Sequence, residues 1–223
     1  MQPTLIHSLT SIVEPLPLDA MFPVPRPVVV ELGSGDGSFL VDCARTHPEW
    51  NVIGVERLLG RIRKTDRKAR RADLANVRLV RIEASYLLTY LLPPTSVQPI
   101  HDYFPDPWPK RRHENRRLVN PDFVTRAARA LVPGGCGFLR TDDPRYFDQM
   151  QAGFAASSDF AGLETPADLA ALLTDFERDF LAQGKATLRA AYRRNAAMPG
   201  AQHSTSLCRP NGTNCGLSRS AAG

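Results

Sequence analysis

Residues 28–37 read VVVELGSGDG, and this stretch decides the fold. Its first five residues, Val28–Leu32, form a short and mainly apolar run. Such runs are typical of strands that are covered on both faces, as in a parallel sheet. Gly33, Gly35 and Gly37 follow at once, and glycine lets a backbone turn tightly and approach a ligand closely. The stretch therefore predicts a buried strand that leads into a ligand-binding loop.

Beyond this loop, strand patterns alternate with helix patterns. Further strands are predicted at 51–56, 77–82, 97–104, 136–140 and 187–193. Helices are predicted at 39–47, 57–74, 85–92, from Asn120 to the Pro-Gly-Gly at 133–135, after Pro144, and at 174–183. This alternation is typical of a Rossmann-like, doubly wound α/β fold with a mostly parallel sheet, which binds its ligands outside the carboxyl ends of the strands.

The domain organisation follows from the same pattern. Residues 1–27 are rich in proline and are predicted to form an irregular N-terminal arm. Residues 28–195 carry the strands and helices and are predicted to form the one folded domain. Residues 196–223 lack hydrophobic periodicity, so we expect a disordered tail there.

Composition narrows the class of protein. The 223 residues are 43% hydrophobic, which is enough for a buried core, and neither a membrane-spanning run nor a signal peptide is visible. The four cysteines are scattered and form no C-x-x-C pair, which argues against a zinc or redox motif, and we expect no metal and a cytoplasmic protein. A net charge of +5 and a pI near 9.3 permit a nucleic-acid partner.

Acidic residues recur where the predicted strands end. The five positions are Glu31, Glu56, Glu83, Asp106 and Asp142. The carboxyl ends of parallel strands meet at one edge of a sheet, so the acids are expected to surround one crevice.

The glycine loop differs from the dinucleotide-binding pattern G-x-G-x-x-G, because position 38 is Ser. It also carries Asp36, which would repel a pyrophosphate. We therefore expect a cationic nucleoside without phosphates, as S-adenosylmethionine is. Glu56 would accept hydrogen bonds from its ribose, and Glu83 with Ala84 would flank its adenine. A purely structural turn with surface acids is the alternative.

Residues 103–118 read YFPDPWPKRRHENRRL. Three prolines within five residues exclude a helix interior or a central strand, so Asp106 is expected on a stiff loop that a basic run follows. An acid beside a positive patch suggests chemistry on a polyanion, although a solvated surface turn would also fit. Ten further cations lie between positions 57 and 81: Arg57, Arg61, Arg63, Lys64, Arg67, Lys68, Arg70, Arg71, Arg78 and Arg81.

The segments ELGSGDGSF, GVER and FPDPWPKRRHENRRL together resemble the bacterial tRNA (guanine-N7)-methyltransferase family, over about residues 22–194. The resemblance implies a class I methyltransferase fold that uses S-adenosylmethionine. The chain departs from the family pattern at Asp36, where lysine is more usual, and at Glu83, where aspartate is. Its fourth strand, with His101 and Asp102, is less apolar than usual.

The resemblance also implies roles for individual residues. Asp106 would be catalytic, and the cofactor contacts would be Glu31, Gly33, Gly35, Glu56, Glu83, Ala84 and Asp106. The substrate contacts would be Lys110, Asp142, Thr174, Asp175, Phe176 and Glu177. The RNA contacts would be Arg112, His113, Glu114, Asn115, Arg116 and Arg117. The implied substrate is the guanosine at position 46 in the tRNA variable loop.

Methylation of guanine N7 makes modest chemical demands. N7 carries a free lone pair and no proton, so the enzyme has to align N7 with the methyl donor and needs no general base. Asp106 or Asp142 would orient the guanine, and Trp108 or Phe176 would hold the extruded base. A non-catalytic RNA-binding subunit with a degenerate pocket and a small-molecule methyltransferase are the alternatives. We expect a monomer or a homodimer that binds tRNA.

Overall fold

The computed structural model describes residues 3–196. The strands are β1 (Ile6–His7), β2 (Val28–Leu32), β3 (Asn51–Val55), β4 (Val77–Val80), β5 (Val97–Tyr103), β6 (Leu131–Thr141), β7 (Phe160–Leu163) and β8 (Leu188–Arg194). The α-helices are α1 (Leu18–Met21), α2 (Ser38–Thr46), α3 (Leu59–Arg71), α4 (Ala84–Tyr86), α5 (Pro121–Ala130), α6 (Pro144–Ala155), α7 (Ala167–Ala171) and α8 (Asp175–Ala182). A π-helical turn, Leu87–Leu91, continues α4, and Arg111–Arg116 forms a 3₁₀ helix.

The strands form one eight-stranded sheet in the order β1-β4-β3-β2-β5-β6-β8-β7. The pairs from β1 to β6 are parallel, whereas β8 is antiparallel to both β6 and β7. Successive strands β2, β3 and β4 extend the sheet in one direction, and β5 returns to the other side of β2. The boundary between β2 and β5 is therefore the topological switch point, where open α/β sheets bind ligands. This confirms the predicted doubly wound fold.

Helices cover both faces of the sheet because alternate residues of each strand point in opposite directions. Along β2, Val29 packs in a cluster with Leu40 and Ile62 of α2 and α3. Its neighbour Val30 packs in a second cluster with residues of α5 and α6. The strands are thus apolar on both sides, which explains the unbroken hydrophobic run that predicted a buried parallel strand.

Helix α5 begins as predicted but ends earlier. The Asn120 side chain accepts a hydrogen bond from Phe123 N at 2.9 Å, and Pro121 occupies the first turn, where its missing N–H is no loss. The prediction that the helix continues to the Pro-Gly-Gly at 133–135 is wrong. Leu131 already pairs with Val97 of β5, so sheet pairing ends the helix before that turn is reached.

Two other regions contain more structure than the sequence predicted. The N-terminal arm adds β1 to the sheet edge beside β4, and Asp66 accepts a hydrogen bond from Leu5 N at 2.7 Å. Strand β7 and helix α7 were not predicted, because β7 is a mostly exposed edge strand that includes Ala161 and Gly162. Nearly all of the predicted disordered tail, 197–223, lies outside the described residues. Within residues 3–196, no helix is long and apolar enough to cross a membrane.

Candidate active site

A cavity of about 310 Å³ opens at the carboxyl ends of β2, β3, β4 and β5. Its walls combine the glycine loop, the ends of the strands and the proline-rich loop. The lining residues that bear on function are Gly33, Glu56, Arg57, Leu58, Arg61, Ile82, Glu83, Ala84, Asp102, Phe104, Asp106, Trp108 and Arg116. The tertiary structure thus brings together several acids that the sequence placed at strand ends, and it joins the glycine loop to Asp106 in one crevice.

The glycine loop adopts the conformation that requires glycine. Gly33, Gly35 and Gly37 have φ angles of 69°, 56° and 81°, in the left-handed region that residues with a Cβ rarely enter. A Cβ at Gly37 would also overlap the side chain of Thr65 on α3. The loop therefore turns tightly at the start of α2 and packs directly against α3.

Glu56 and Glu83 stand at the far side of the cavity from β5. One oxygen of the buried Glu56 carboxylate accepts a hydrogen bond from Leu58 N at 2.8 Å. Glu83 is exposed, and its two oxygens accept hydrogen bonds from Ser85 N and Tyr86 N at the start of α4. These bonds fix both carboxylates in the wall of the cavity, which the apolar side chains of Leu58 and Ile82 also line.

Two acids are buried at the switch point itself. Glu31 pairs with His101 and Leu32 pairs with Asp102 across β2 and β5, so the two acids lie on opposite faces of the sheet. Burial raises the pKa of Glu31 to about 8, against the opposing effect of Arg140. Burial also raises the pKa of Asp102 to about 8. Glu31 was predicted from its motif, whereas Asp102 was missed because it lies within a strand.

The proline-rich loop is held rigidly above the end of β5. Phe104 and Trp108 flank Pro105, Asp106 and Pro107, and their φ angles of 55° and 42° are uncommon for residues with a Cβ. Conformations of this kind persist only where the surrounding structure enforces them, and they cluster at functional sites.

Arg117 supplies much of that enforcement. Its side chain is only 3% exposed, and it donates hydrogen bonds to Pro107 O and to Gln149 Oε1, both at 2.7 Å. Its guanidinium also lies over the ring of Tyr146, 5.0 Å from the ring centroid. The sequence predicted an RNA contact for Arg117, but in this structure its buried side chain instead anchors the proline-rich loop.

Asp106 projects from this loop into the open part of the cavity. Its side chain is 72% exposed, and Oδ2 lies 4.0 Å from a guanidinium nitrogen of Arg57. A carboxylate with this exposure is free to accept hydrogen bonds from a base that enters the crevice. Asp142 is also exposed, at the end of β6.

The predicted substrate segment 174–177 has two different sides. Thr174 and Glu177 form a reciprocal capping box at the start of α8. Glu177 is fully buried, and it forms ion pairs with Arg140 at 2.6 Å and Arg189 at 2.9 Å. The predicted substrate contact by Glu177 therefore does not fit this structure, since its carboxylate instead joins α8 to the sheet.

The exposed side of α8 is aromatic. Phe176 is 52% exposed, and its ring centroid lies 6.0 Å from that of Phe104. Phe180 lies 5.5 Å from Phe104 and completes a cluster beside the cavity. By contrast, Trp108 is covered on its face by Arg116, at 5.1 Å, and meets the ring of His113 edge-on. Of the two aromatic residues proposed to hold a base, Phe176 is the more exposed to solvent, whereas Trp108 is the one that lines the cavity.

Exposed cations surround the mouth of the cavity. In the loop and the 3₁₀ helix, they are Lys110, Arg111, Arg112 and Arg116, with Asn115 exposed and His113 and Glu114 half-buried. On and just before α3, they are Arg57, Arg61, Arg63, Lys64, Arg67 and Arg71. Arg61 and Arg116 also line the cavity, so the basic surface is continuous with the acidic pocket.

The pocket fits S-adenosylmethionine by its chemistry. The buried, unpaired carboxyl oxygen of Asp102 favours a cationic ligand, and Glu56 offers an acceptor for ribose hydroxyls. Glu31, predicted as a cofactor contact, is buried beside the cavity but does not line it. Asp36 would repel a phosphate less strongly than its sequence position suggested. Lys68 Nζ lies 2.7 Å from its carboxylate, which offsets the charge that would repel a phosphate.

The chain resembles solved methyltransferase structures in fold. The 16S rRNA methyltransferase KamB superposes with a TM-score of 0.54 at 20% sequence identity, over 76% of this chain and 88% of that one. At this identity, the likeness concerns the fold alone.

Sequence comparison is more specific. Residues 25–190 match the Methyltransf_4 family model, described as a putative methyltransferase. The tRNA (guanine-N(7)-)-methyltransferase of Thiobacillus denitrificans is 35% identical over 81% of this chain and 81% of its own length. That of Thermotoga maritima is 35% identical over 78% of this chain, which spans 56% of the relative. The chain belongs to the tRNA (guanine-N7)-methyltransferase family.

Proposed function

We propose that the protein transfers a methyl group from S-adenosylmethionine to N7 of the guanosine at position 46 in the tRNA variable loop. The observation that carries the proposal is the single cavity that joins the glycine loop to Asp106 and opens onto a basic surface. Membership of a family whose curated relatives bear the name tRNA (guanine-N(7)-)-methyltransferase supports it.

The cofactor would occupy the crevice along the ends of β2, β3 and β4. Glu56 would hold its ribose, and Leu58, Ile82 and Ala84 would form the apolar wall for its adenine. When bound, it supplies a methyl group on a sulfonium, which is already activated for transfer. The glycine loop allows the backbone to approach this ligand without interference from a Cβ.

Asp106 would orient the guanine. Because N7 is an acceptor with a free lone pair, no proton has to leave before attack. The guanine ring gains positive charge as the methyl group arrives, so a carboxylate at its N1–H and amino group stabilises the transition state. The exposed side chain of Asp106 suits this role. Asp106 does not have to act as a general base, so its carboxyl group does not have to be buried. Phe176 and Phe104 would stack on the extruded base.

The cations around the cavity would bind the tRNA backbone. An extruded base carries its own phosphates with it, and the neighbouring phosphates have to be neutralised for the base to reach the pocket. Arg61 and Arg116 line the cavity itself and are placed for the nearest phosphates, whereas Arg112 and the outward cations of α3 serve more distant ones.

Methyl transfer to defined transcripts tests this proposal. Unmodified tRNA with guanosine at position 46 is incubated with labelled S-adenosylmethionine, and the nucleosides are then analysed. N7-methylguanosine should form, and a transcript with adenosine at position 46 should accept no label. Label at another guanosine would refute the proposed position, and tRNA binding without label would refute methyltransferase activity.

The Asp106→Asn variant should lose activity at least 100-fold, because the amide cannot match the charge of the carboxylate.

A further inference from the structure

Asp102 is a buried acid to which the proposed function assigns no role. It is 1% exposed, and its Oδ2 atom has no hydrogen-bond partner among the described residues. It lines the cavity, whereas Glu31 does not. A buried carboxyl group without a partner is destabilising, so its presence at the floor of a ligand pocket requires a reason.

The surroundings of Asp102 are apolar. Its side chain shares a face of the sheet with Leu32 and Leu139, its partners in the neighbouring strands. Among the covering helices, α6 carries Tyr146, whose pKa is raised first by burial and then by the charge of Asp102. Arg117 lies beyond that ring and is bonded elsewhere.

The other charged groups near the switch point lie on the opposite face or at the rim. They are Glu31, His101, Tyr103 and Arg140 on the opposite face, and Glu56, Arg57 and Asp106 at the rim. Burial accounts for the raised pKa of Asp102, and within residues 3–196 no cation forms a salt bridge with it. The site thus lacks one positive charge, which a ligand can bring.

We propose that Asp102 is a counter-charge for the positive end of the cofactor, and that it lets the pocket distinguish cationic S-adenosylmethionine from its neutral-sulfur product, S-adenosylhomocysteine. Along the cavity, β5 lies on the side of β2 away from Glu56 and Glu83, which are placed for the ribose and adenine. Asp102 is therefore at the end where the sulfonium would lie. Replacing a sulfonium with a thioether removes the charge that keeps Asp102 ionised, which favours release of the product.

This inference rests on the cofactor of the proposed function and not on tRNA. It is tested by calorimetric titration of S-adenosylmethionine and S-adenosylhomocysteine into the full chain and the Asp102→Asn variant, without RNA. If the bound cation lowers the pKa of Asp102 by about two units, the variant should bind S-adenosylmethionine about 2-fold more weakly at pH 6, about 10-fold at pH 7 and more above pH 8. Its affinity for S-adenosylhomocysteine should stay within about 2-fold.

Proton release gives an independent readout. Asp102 is mostly protonated at pH 7 in the free protein, so binding of the cationic ligand should expel its proton. In buffers of different ionisation enthalpy, the parent should release roughly half a proton or more in excess with S-adenosylmethionine over S-adenosylhomocysteine. The excess should vanish in Asp102→Asn. Sinefungin, which carries an amine in place of the methylated sulfur, should behave as the cationic ligand does.

Two further variants keep the result interpretable. Asp102→Leu matches the neighbouring leucines and should show the same loss of discrimination, and thermal unfolding confirms that both variants fold. Asp66→Asn removes another buried aspartate, which does not line the cavity, and should leave the ratio of the two affinities unchanged.

Equal weakening of both ligands in Asp102→Asn, or no weakening, overturns the inference while leaving the proposed function intact. Methylation of tRNA at a position other than 46 would overturn only the proposed position. A parent protein that binds neither ligand overturns both.

Discussion

Gly37 shows how strongly a single residue is constrained in the glycine loop. Its φ of 81° is left-handed, and the Thr65 side chain fills the space where a Cβ would lie. Gly134 has nearly the same φ, 80°, but open space around it. The two positions therefore separate the backbone requirement for glycine from the packing requirement.

We expect Gly37→Ala to lower the free energy of unfolding by about 2–4 kcal/mol, of which about 1–2 kcal/mol reflects the left-handed backbone and the rest the overlap with Thr65. Gly134→Ala should show only the backbone part. Denaturant unfolding of both variants measures the difference. Equal losses would mean that α2 and α3 do not pack closely at this point.

Arg117 and Arg112 come from the same basic motif but are expected to act differently. Arg117→Ala removes a buried guanidinium with two hydrogen bonds and should destabilise the protein by about 2–4 kcal/mol. Arg112→Ala removes an exposed cation and should leave stability unchanged while weakening tRNA binding. Thermal unfolding and a tRNA-binding assay on both variants check this. A stable Arg117→Ala variant with weakened tRNA binding would show that Arg117 contacts the RNA and does not anchor the proline-rich loop.

Helix α8 depends on one buried carboxylate. Glu177 joins the helix to Arg140 of β6 and Arg189 of β8, and it also accepts a hydrogen bond from Thr174 N at 3.0 Å. The guanidinium of Arg140 in turn lies 4.0 Å from the ring centroid of Tyr103. The aromatic surface of α8 is therefore positioned beside the cavity by an ion pair beneath it.

We expect Glu177→Gln to destabilise the protein by about 3–5 kcal/mol, because it leaves Arg140 as a buried charge without its counter-ion. Hydrogen exchange should accelerate in α8 before the central strands are affected. The double variant Arg140→Met with Glu177→Leu should recover most of the stability, since no buried charge remains. Slow exchange in α8 of Glu177→Gln would show that the helix is held by other contacts.

At the scale of the whole molecule, carboxylates and exposed cations are concentrated in different parts of the active-site region. Carboxylates line the crevice together with Arg57, Arg61 and Arg116, and further exposed cations lie around it and along α3. The net charge of +5 therefore understates the local basic character of the active face. This arrangement would draw an anionic RNA to the rim and favour a cationic cofactor inside.

If α3 contacts the tRNA backbone, replacing Arg63, Lys64 and Arg67 with Gln should reduce the salt dependence of binding. Three lost phosphate contacts should lower the slope of log K against log salt by roughly 2. Arg26→Gln is the control, because Arg26 lies two residues before β2, at the amino ends of the strands and away from the cavity. Filter binding across a salt series measures both slopes. Equal slopes for the triple variant and the parent would show that α3 does not contact the tRNA backbone.

The sequence by itself determined the alternation of strands and helices along the chain, the glycine loop and the acids at the strand ends. These features are local, because an apolar run of five residues or a glycine with a left-handed φ is specified by neighbouring residues. The start of α5 was predictable for the same reason, since Asn120 caps it directly.

Only the tertiary structure decided which charged residues are buried. Glu177 meets Arg140 from 37 positions away, and Arg117 reaches Gln149 from 32 positions away. The same sequence pattern would suit a residue at the surface or in the interior. Asp102 lines the cavity because β5 crosses to the other side of β2, which places the carboxyl end of a motif-free strand at the switch point. Burial depends on partners distant in sequence, so the role of such a residue is fixed only when the chain has folded.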